Sequence, residues 1–511
     1  MTLLRSIVTV SSITTVSRAF GFVRDILIAA TLGASMVADV FFVAFKFPNL
    51  FRRLFAEGAF SMAFVPIFAG ILEEEGKAKA TEFANQAMGI LLGGLLIVVI
   101  VMEMAMPWAM RAFAPGFLDD PRKFVMAVEL TRITFPYLLL ISLVSLLAGV
   151  LNSFGKFAAA AATPILLNLC MIGALLFWAP VSKAPGHTLA WAVFFAGLVQ
   201  FLWIAYHCMK KGIWFRPIFV RSKNVKLLLC RTLPVALGAG VYQINLLVDT
   251  IIASFLPEGS ISYLFFADRI NQLPLGVVGV AVGTALLPLL SRQISAGDHV
   301  AAQNSQNRAV EFSILLTLPA ACALFVMSDP VVKVLFQRGI FGDIQASATA
   351  AALAILTLGL PAYVLIKALA PGFFARGDTV TPVKIAAIAM VTNVVLSLIL
   401  MGPFLHVGVA MATTASSWLN SIMMVVILCK RGHFIFDDRL KGRLFKTAFA
   451  SMGMSLMLYF ATTKLSFWLN SGLEIERAFT LVVLVVGGIF TFGVLAWISG
   501  AVERGDLKSL R

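Results

Sequence analysis

Residues 86–112 read QAMGILLGGLLIVVIVMEMAMPWAMRA, with Glu103 and Arg111 as the charged residues of the stretch. A helix needs roughly 20 predominantly apolar residues to cross the hydrocarbon core of a bilayer, and this stretch is long enough. Comparable segments recur along the whole chain, and we count about fourteen of them. Their approximate limits are 7–32, 37–70, 86–112, 126–151, 159–179, 188–208, 227–255, 261–290, 310–335, 346–374, 382–402, 408–429, 444–463 and 478–499. The sequence therefore predicts an all-α polytopic membrane protein with about 14 transmembrane helices.

The overall composition excludes a water-soluble body. Of the 511 residues, 60% are hydrophobic and 13% are charged, whereas soluble globular proteins carry roughly 25% charged residues. An outer-membrane barrel is disfavoured, because the ~10-residue segments of alternating polarity that it needs are absent. The first apolar segment is too long for a signal peptide and contains Arg18, Arg24 and Asp25, so we expect it to remain as the first span.

The net charge of +15 reflects basic residues that are concentrated in alternate loops. Lys and Arg cluster in 210–231, in 430–446 and in the tail at 504–511, whereas the loops 256–260 and 403–407 have almost none. Positively charged loops stay in the cytoplasm, so both termini are predicted to be cytoplasmic. Anionic membrane lipids are the expected partners of these clusters, and nucleic acid is not.

Two parts of the chain echo each other at a separation of roughly 220 residues, a spacing that suggests a duplicated lobe. Residues 136–168 correspond to 361–393, and residues 59–66 correspond to 281–288. Because six spans is an even number, both lobes insert in the same orientation, with a pseudo-two-fold axis along the membrane normal and the cargo site between them.

The predicted organisation has three parts. Residues 1–220 form an N-terminal lobe of spans one to six, and residues 221–435 form a C-terminal lobe of spans seven to twelve. Residues 436–511 contain two further spans and a cytoplasmic tail.

Glycine and proline residues inside spans one, two and eight predict interruptions of these helices. Irregular backbone at membrane depth is tolerated where it faces protein or a water-filled cavity. We therefore expect a central cavity built mainly from spans one, two, seven and eight. The expected breaks fall at Gly21, Pro48, Gly58, Pro274, Gly276, Gly279 and Gly283.

The same spans carry charged side chains, which are costly in lipid and usually line a polar cavity. Arginine offers a planar fork that matches phosphate oxygens, so the cluster predicts an anion site, most plausibly for a phosphate or diphosphate. The alternative is that the arginines snorkel to the interface or form structural ion pairs with Asp25, Asp39, Glu57 and Asp268. The candidate substrate-binding residues are Arg18, Arg24, Asp39, Lys46, Arg52, Arg53, Asp268 and Arg269.

A second candidate site concerns energy coupling. Asp249 is an isolated acid in span seven, and such a carboxylate is costly unless it binds a cation or a proton. Asn393 and Ser397 share a helix face, and Thr413 lies in span twelve. We predict a coupling-ion site that uses Asp249, Asn393, Ser397 and Thr413; the alternative is a hydrogen-bonded helix contact.

Signals for catalysis, cofactors or metals are missing from the sequence. The five cysteines lie in or beside apolar segments and read as packing residues, and the five histidines show no metal-ligand spacing. We predict no enzyme activity, no cofactor and no metal, with transport driven by a monovalent ion gradient or the membrane potential.

Three motifs resemble the MurJ/MviN family. The first runs from Ser17 to Gly58 and includes SRAFGFVRD at 17–25 and KFPNLFRR at 46–53. The second is ADR at 267–269 followed by LPLGVVG at 273–279, and the third runs from Lys367 to Lys384. The resemblance covers essentially the whole chain.

This resemblance implies a lipid II flippase of bacterial peptidoglycan synthesis, in the wider superfamily of multidrug, oligosaccharidyl-lipid and polysaccharide exporters. It implies a location in the cytoplasmic (inner) membrane, lipid II and the peptidoglycan synthesis machinery as partners, and a lipid-tail groove from the last two spans. The family's cavity arginines fall on Arg18, Arg24, Arg52 and Arg269, and its functional acid falls on Asp39.

This chain departs from the family pattern at Gln272, where some relatives carry an acid. Any role that needs a carboxylate at this position is therefore in doubt. Three rival functions stay open: a flippase for another polyprenyl-diphosphate-linked saccharide, a drug exporter of the same fold, and a non-transporting scaffold of wall synthesis. Cavity arginines disfavour the drug exporter, because its cargo is mostly cationic.

Overall fold

A computed structural model of the chain describes residues 3–53, 60–220 and 222–502. Within these ranges the chain forms helices joined by turns and short loops, and no β-strand is present there. The predicted all-α fold is therefore confirmed. Glu57 and Gly58, which the sequence placed in span two, lie outside the described residues.

The chain divides into two compact units, unit 1 (Met1–Ser262) and unit 2 (Tyr263–Arg511). The helices of unit 1 are α1 (Leu3–Leu32), α2 (Met36–Arg52), α3 (Ser61–Glu74), α4 (Gly76–Phe113), α5 (Pro121–Thr134), α6 (Tyr137–Ser153), α7 (Phe157–Gly173), α8 (Pro185–Met209) and α9 (Lys223–Ser254). The helix α10 (Ser260–Ser295) begins in unit 1 and continues into unit 2. The remaining helices of unit 2 are α11 (His299–Val326), α12 (Ser328–Phe336), α13 (Asp343–Leu358), α14 (Leu360–Phe374), α15 (Val380–Lys430), α16 (Asp438–Lys464), α17 (Ser466–Leu469) and α18 (Glu474–Ile498).

Five of these helices begin at a side chain that accepts a hydrogen bond from the first turn. The capping residues are Ser35, Asp120, Ser222, Asp298 and Asp437. Such a cap satisfies one of the backbone N–H groups that have no partner inside the helix. Short polar residues between apolar segments thus set where the helices start.

In the part of the chain that the structure describes, nine helical runs are long and apolar enough to cross a membrane. One of them, α15, has 51 residues and bends at Leu405, where φ is 52° and ψ is −131°. The bend lies in the predicted loop 403–407, so the two halves of α15 correspond to the predicted spans 382–402 and 408–429. The count of fourteen crossings stays a prediction.

The prediction that three helices are interrupted at these residues was wrong. The helix α1 is continuous through Gly21, α2 continues past Pro48, and α10 is helical through Pro274 and the glycines that follow it. Proline removes one backbone hydrogen-bond donor, and glycine removes only a side chain. A helix that packs among neighbouring helices therefore stays continuous at both residue types.

The limits of the two lobes stay a prediction. The two compact units reflect which parts of the chain pack together, whereas the lobes were defined by a repeat in the sequence. The structure places α9 with unit 1, where it packs against α3 and α4. Gly116 shows how close this approach is: a Cβ at Gly116 would lie 2.3 Å from the backbone oxygen of Ser254, and its N–H donates to the Ser254 hydroxyl at 3.0 Å. Span seven therefore ends against the turn that follows α4.

A buried ion cluster joins α11 to α16 in unit 2. The carboxylate of Glu311 pairs with Arg308, Arg443 and Arg439, the last at 3.5 Å, and Arg308 also pairs with Asp437. Arg443 is 5% exposed and Glu311 is 8% exposed. We predicted that Arg439 and Arg443 belong to a basic loop. Both residues lie on α16, and their ion pairs with Glu311 hold α16 against α11.

Replacing Glu311 by Gln is expected to destabilise unit 2, because it leaves the buried Arg443 without its carboxylate. Breaking a buried pair by removing one partner costs about 3–5 kcal/mol. Thermal unfolding in detergent measures the effect. Asp438→Asn is the matched control, because the Asp438–Lys441 pair at 3.2 Å is exposed and such surface pairs contribute little to stability. Equal stability of the two variants would contradict the assignment.

Candidate functional site

Arg24 is the most deeply buried of the candidate cations in unit 1, with 6% exposure. Its Nε and Nη2 donate to Oδ1 of Asp25 at 3.0 and 2.7 Å, and its Nη1 donates to Oδ1 of Asn168 at 2.9 Å. The amide of Asn168 in turn donates to the backbone oxygen of Ser17 at 3.0 Å. Helices α1 and α7 therefore hold the guanidinium in one orientation.

The other arginines of spans one and two have different environments. Arg18 and Arg53 are exposed, and Arg52 is half-buried. The Nε of Arg52 donates to Oδ1 of Asn49 at 3.0 Å, one turn earlier in α2. Arg18 and Asp25 share a helix side by their spacing, but Asp25 is buried beside Arg24.

Asp39 ties the start of α2 to the turn between α9 and α10. Its carboxylate accepts the N–H of Gly259 at 2.8 Å, and the N–H and hydroxyl of Ser262 at 2.9 and 2.7 Å. The ammonium of Lys123 on α5 lies 3.7 Å away. Asp39 is 1% exposed and Lys123 is 8% exposed, so this is a buried charge pair with additional hydrogen bonds.

Lys46 lies two turns along α2 from Asp39 and contacts α9. Its ammonium donates to the hydroxyl of Thr250 on α9 at 2.6 Å. Asp249, the candidate for ion coupling, precedes Thr250 and is half-buried on α9. The cation of span two and the isolated acid of span seven therefore approach the same turn of α9.

In unit 2, Asp268 and Arg269 lie on α10 and are half-buried. The guanidinium carbon of Arg269 is 4.7 Å from the ring centroid of Phe265, which is a cation–π contact. The carboxylate of Asp268 accepts a hydrogen bond from the amide of Gln272. Gln272, where some relatives have an acid, thus serves here as a donor to Asp268.

The remaining coupling-site candidates lie on the two halves of α15. Asn393 and Ser397 are buried on its first half. Thr413, on the second half, is half-buried and donates to the backbone oxygen of Val409 at 3.0 Å. That bond stays within its own helix, and the role of Thr413 in ion coupling stays a prediction.

The motif between α14 and α15 builds a turn that is held by hydrogen bonds and an ion pair. Asp378 accepts the N–H of Thr381 at 2.9 Å and pairs with Arg431 at 2.5 Å. Hydrogen bonds from Thr381, then from Arg431, hold the pKa of the Asp378 carboxyl well below its usual range. The carboxylate is therefore charged at any physiological pH, and its role is to fix the turn.

The sequence did not single out the partners of these charged residues. Asn168, Thr250, Lys123 and Ser262 each bond to a predicted site residue from another helix. The sequence did point to Asn168 indirectly, because this residue belongs to one of the repeated segments. The others are ordinary polar residues whose pairing depends on helix packing.

The described residues thus provide cations held by side-chain contacts in both units. No group of three or more His, Cys, Asp or Glu side chains suited to a metal occurs among them. Binding of an anionic group through guanidinium and ammonium donors is the chemistry that this arrangement supports.

Comparison with known proteins shows which family the chain resembles. The family described as lipid II flippase MurJ matches residues 28–485. A probable lipid II flippase MurJ of Rhizobium meliloti (strain 1021) is 45% identical over 100% of this chain and 98% of its own length.

Solved structures agree at the level of the fold. A lipid II flippase MurJ in an inward closed conformation aligns with a TM-score of 0.78 at 24% identity, covering 96% of this chain and 98% of the other. An inward-facing multidrug resistance MATE family transporter of the MOP superfamily aligns with a TM-score of 0.69 at 15% identity, covering 83% and 97%. The matched range and the full-length identity together show that this multi-pass membrane protein belongs to the lipid II flippase MurJ family.

Proposed function

We propose that this protein flips lipid II from the inner to the outer leaflet of the bacterial cytoplasmic membrane by alternating access. The observation that carries the proposal is the 45% identity over the full chain to a probable lipid II flippase. Lipid II joins a polyprenyl chain through a diphosphate to a sugar-peptide headgroup, so the transporter must shelter an anionic group while the tail remains in lipid.

The cations of unit 1 suit that task. Arg24 has five N–H donors, and its bonds to Asp25 and Asn168 use three of them. We assign diphosphate binding to the remaining donors of Arg24, together with Lys46, Arg52, Arg18 and Arg53. In unit 2 we assign the same role to Arg269, with Asp268 as its positioning residue.

Asp39 supplies a contact that can open and close during transport. It holds α2 to the α9–α10 turn through Gly259 and Ser262. Alternating access requires elements with two discrete arrangements that the cargo biases. We propose that this contact is made in one state of the transport cycle and broken in the other.

We propose that both termini lie in the cytoplasm, and the basic clusters between the apolar segments support this orientation. In a cysteine-free background, Lys183→Cys is expected to react with a membrane-impermeant maleimide added outside intact cells, and Lys441→Cys is expected to react only after the cells are lysed. Both positions are exposed. Labelling of Lys441→Cys in intact cells would contradict this orientation.

Transport is proposed to draw on a monovalent ion gradient or the membrane potential, with Asp249 as a ligand of the coupling ion. Asp249→Asn keeps the shape of the side chain and removes its charge, so flipping in proteoliposomes should lose its dependence on an imposed gradient. Thr392→Val is the comparison variant, because Thr392 is not one of the predicted ion ligands and its hydroxyl bonds within its own helix. If flipping by Asp249→Asn depends on the imposed gradient as it does in the wild type, the coupling proposal is contradicted.

Depletion of the protein in cells separates the rival functions. A lipid II flippase predicts that lipid II accumulates on the inner leaflet while other polyprenyl-linked saccharides still reach the outside. Accumulation of a different lipid-linked saccharide would support a related flippase. Normal outer-leaflet lipid II with disordered wall synthesis would support a scaffold.

A further inference from the structure

A groove at one end of unit 1 is lined by none of the charged residues assigned to transport. It is a cavity of about 400 Å³ between α1, the turn from α6 to α7 and the C-terminal end of α8. We propose that this groove binds an anionic glycerophospholipid of the cytoplasmic leaflet, with an acyl chain along its wall and the phosphate at its rim. This binding is independent of the cargo that the protein transports.

The wall of the groove is apolar and has a fixed shape. Ile13, Phe157, Ala162 and Trp203 contribute to it. The indole N–H of Trp203 donates to the backbone oxygen of Ala159 at 3.2 Å, which sets the plane of the ring. Tryptophan is enriched at membrane interfaces, where an apolar ring meets the polar headgroups.

The rim of the groove is basic. Lys156 follows α6, and Lys210 and Lys211 follow α8, and all three are exposed. The ammonium of Lys77 donates to the backbone oxygen of Lys211 at 2.5 Å, which brings a fourth positive charge to the same edge. Among the described residues that line the groove, none is acidic.

The two parts of the groove select one class of ligand. A free phosphate would use the lysines but gain nothing from the wall, and a zwitterionic lipid would use the wall but has no net charge for the lysines. An anionic phospholipid uses both, because basic residues at a membrane surface attract anionic headgroups while the acyl chain remains in an apolar environment. The predicted cytoplasmic position of all three lysines places the headgroup at the correct interface.

The test uses the full-length protein in nanodiscs that contain phosphatidylglycerol with a photoreactive acyl chain. Adducts mapped by peptide mass spectrometry are expected within 151–162 and 203–211. In the triple variant Lys156→Gln, Lys210→Gln and Lys211→Gln, labelling of these peptides should require about a hundredfold more lipid. The matched control is Lys384→Gln, Lys430→Gln and Lys441→Gln, which removes three exposed lysines of unit 2 and should label like the wild type.

A second variant separates the wall from the rim. Ala162→Trp fills the groove and leaves the lysines in place, so it should also lose labelling, while inorganic phosphate at millimolar concentration should not compete in the wild type. Size-exclusion profiles and thermal unfolding confirm that each variant is folded. Equal labelling of the triple variant and its control, equal labelling by a phosphatidylcholine probe, or displacement of the phosphatidylglycerol probe by stoichiometric lipid II would each overturn the proposal.

Discussion

Replacing Arg24 by Ala is expected to reduce lipid II flipping at least about a hundredfold, with the protein still inserted in the membrane. A charge-assisted hydrogen bond contributes about 1.5–3 kcal/mol, and a phosphate bound through two guanidinium N–H groups loses both. Arg24→Lys keeps the charge but cannot bond Asp25, Asn168 and the diphosphate together, so it should retain only partial activity. The measurement is the initial flipping rate in proteoliposomes that contain fluorescent lipid II.

Asn168 offers a sharper form of this test, because it positions Arg24 without carrying charge. Asn168→Leu removes the acceptor for Nη1 of Arg24 and leaves the Arg24–Asp25 pair intact. We expect about a tenfold loss of rate, equivalent to one hydrogen bond. Thr163→Val on the same helix is the control, because the hydroxyl of Thr163 bonds within α7. Wild-type rates for both Arg24→Ala and Asn168→Leu would remove Arg24 from the site.

Replacing Asp39 by Ala is expected to abolish flipping and to lower the melting temperature in detergent. The substitution leaves the N–H groups of Gly259 and Ser262 without their acceptor and leaves the ammonium of Lys123 buried without a counter-charge. Removal of one partner from such a buried pair costs about 3–5 kcal/mol.

Two further variants at this contact should show smaller losses of stability and flipping rate than Asp39→Ala. Ser262→Ala removes only the hydroxyl bond and should cost about 1 kcal/mol. Asp39→Asn keeps one acceptor oxygen and should fall between Ser262→Ala and Asp39→Ala in both stability and rate. A melting temperature and a flipping rate that stay at wild-type values in Asp39→Ala would show that the α2 contact has no role in the cycle.

The fold was largely predictable because the bilayer imposes a minimum length on every apolar segment. Segments such as 86–112 and 188–208 fall within α4 and α8. The expected breaks at Gly21, Pro48 and Pro274 were wrong, because neighbouring helices keep a continuous backbone in place around residues that would break an isolated helix.

The charged residues of the candidate site were also predictable, since a charge inside an apolar segment stands out in any membrane sequence. Their partners were not. Asn168, Thr250 and Lys123 come from distant parts of the chain, and their bonds depend on the rotation of each helix about its own axis, which local patterns leave undetermined. Arg443 is a similar case, because its sequence neighbours are basic while its side chain is buried against Glu311.

Transfer of lipid II between leaflets by the purified protein tests the central claim most directly. Proteoliposomes with fluorescent lipid II in both leaflets are exposed to a membrane-impermeant reductant, and the protected fraction is followed over time. The wild type should expose lipid II from the inner leaflet, whereas Arg24→Ala should leave about half of the fluorescence protected, as in liposomes without protein. Protection that is the same for the wild type, Arg24→Ala and empty liposomes would contradict the account.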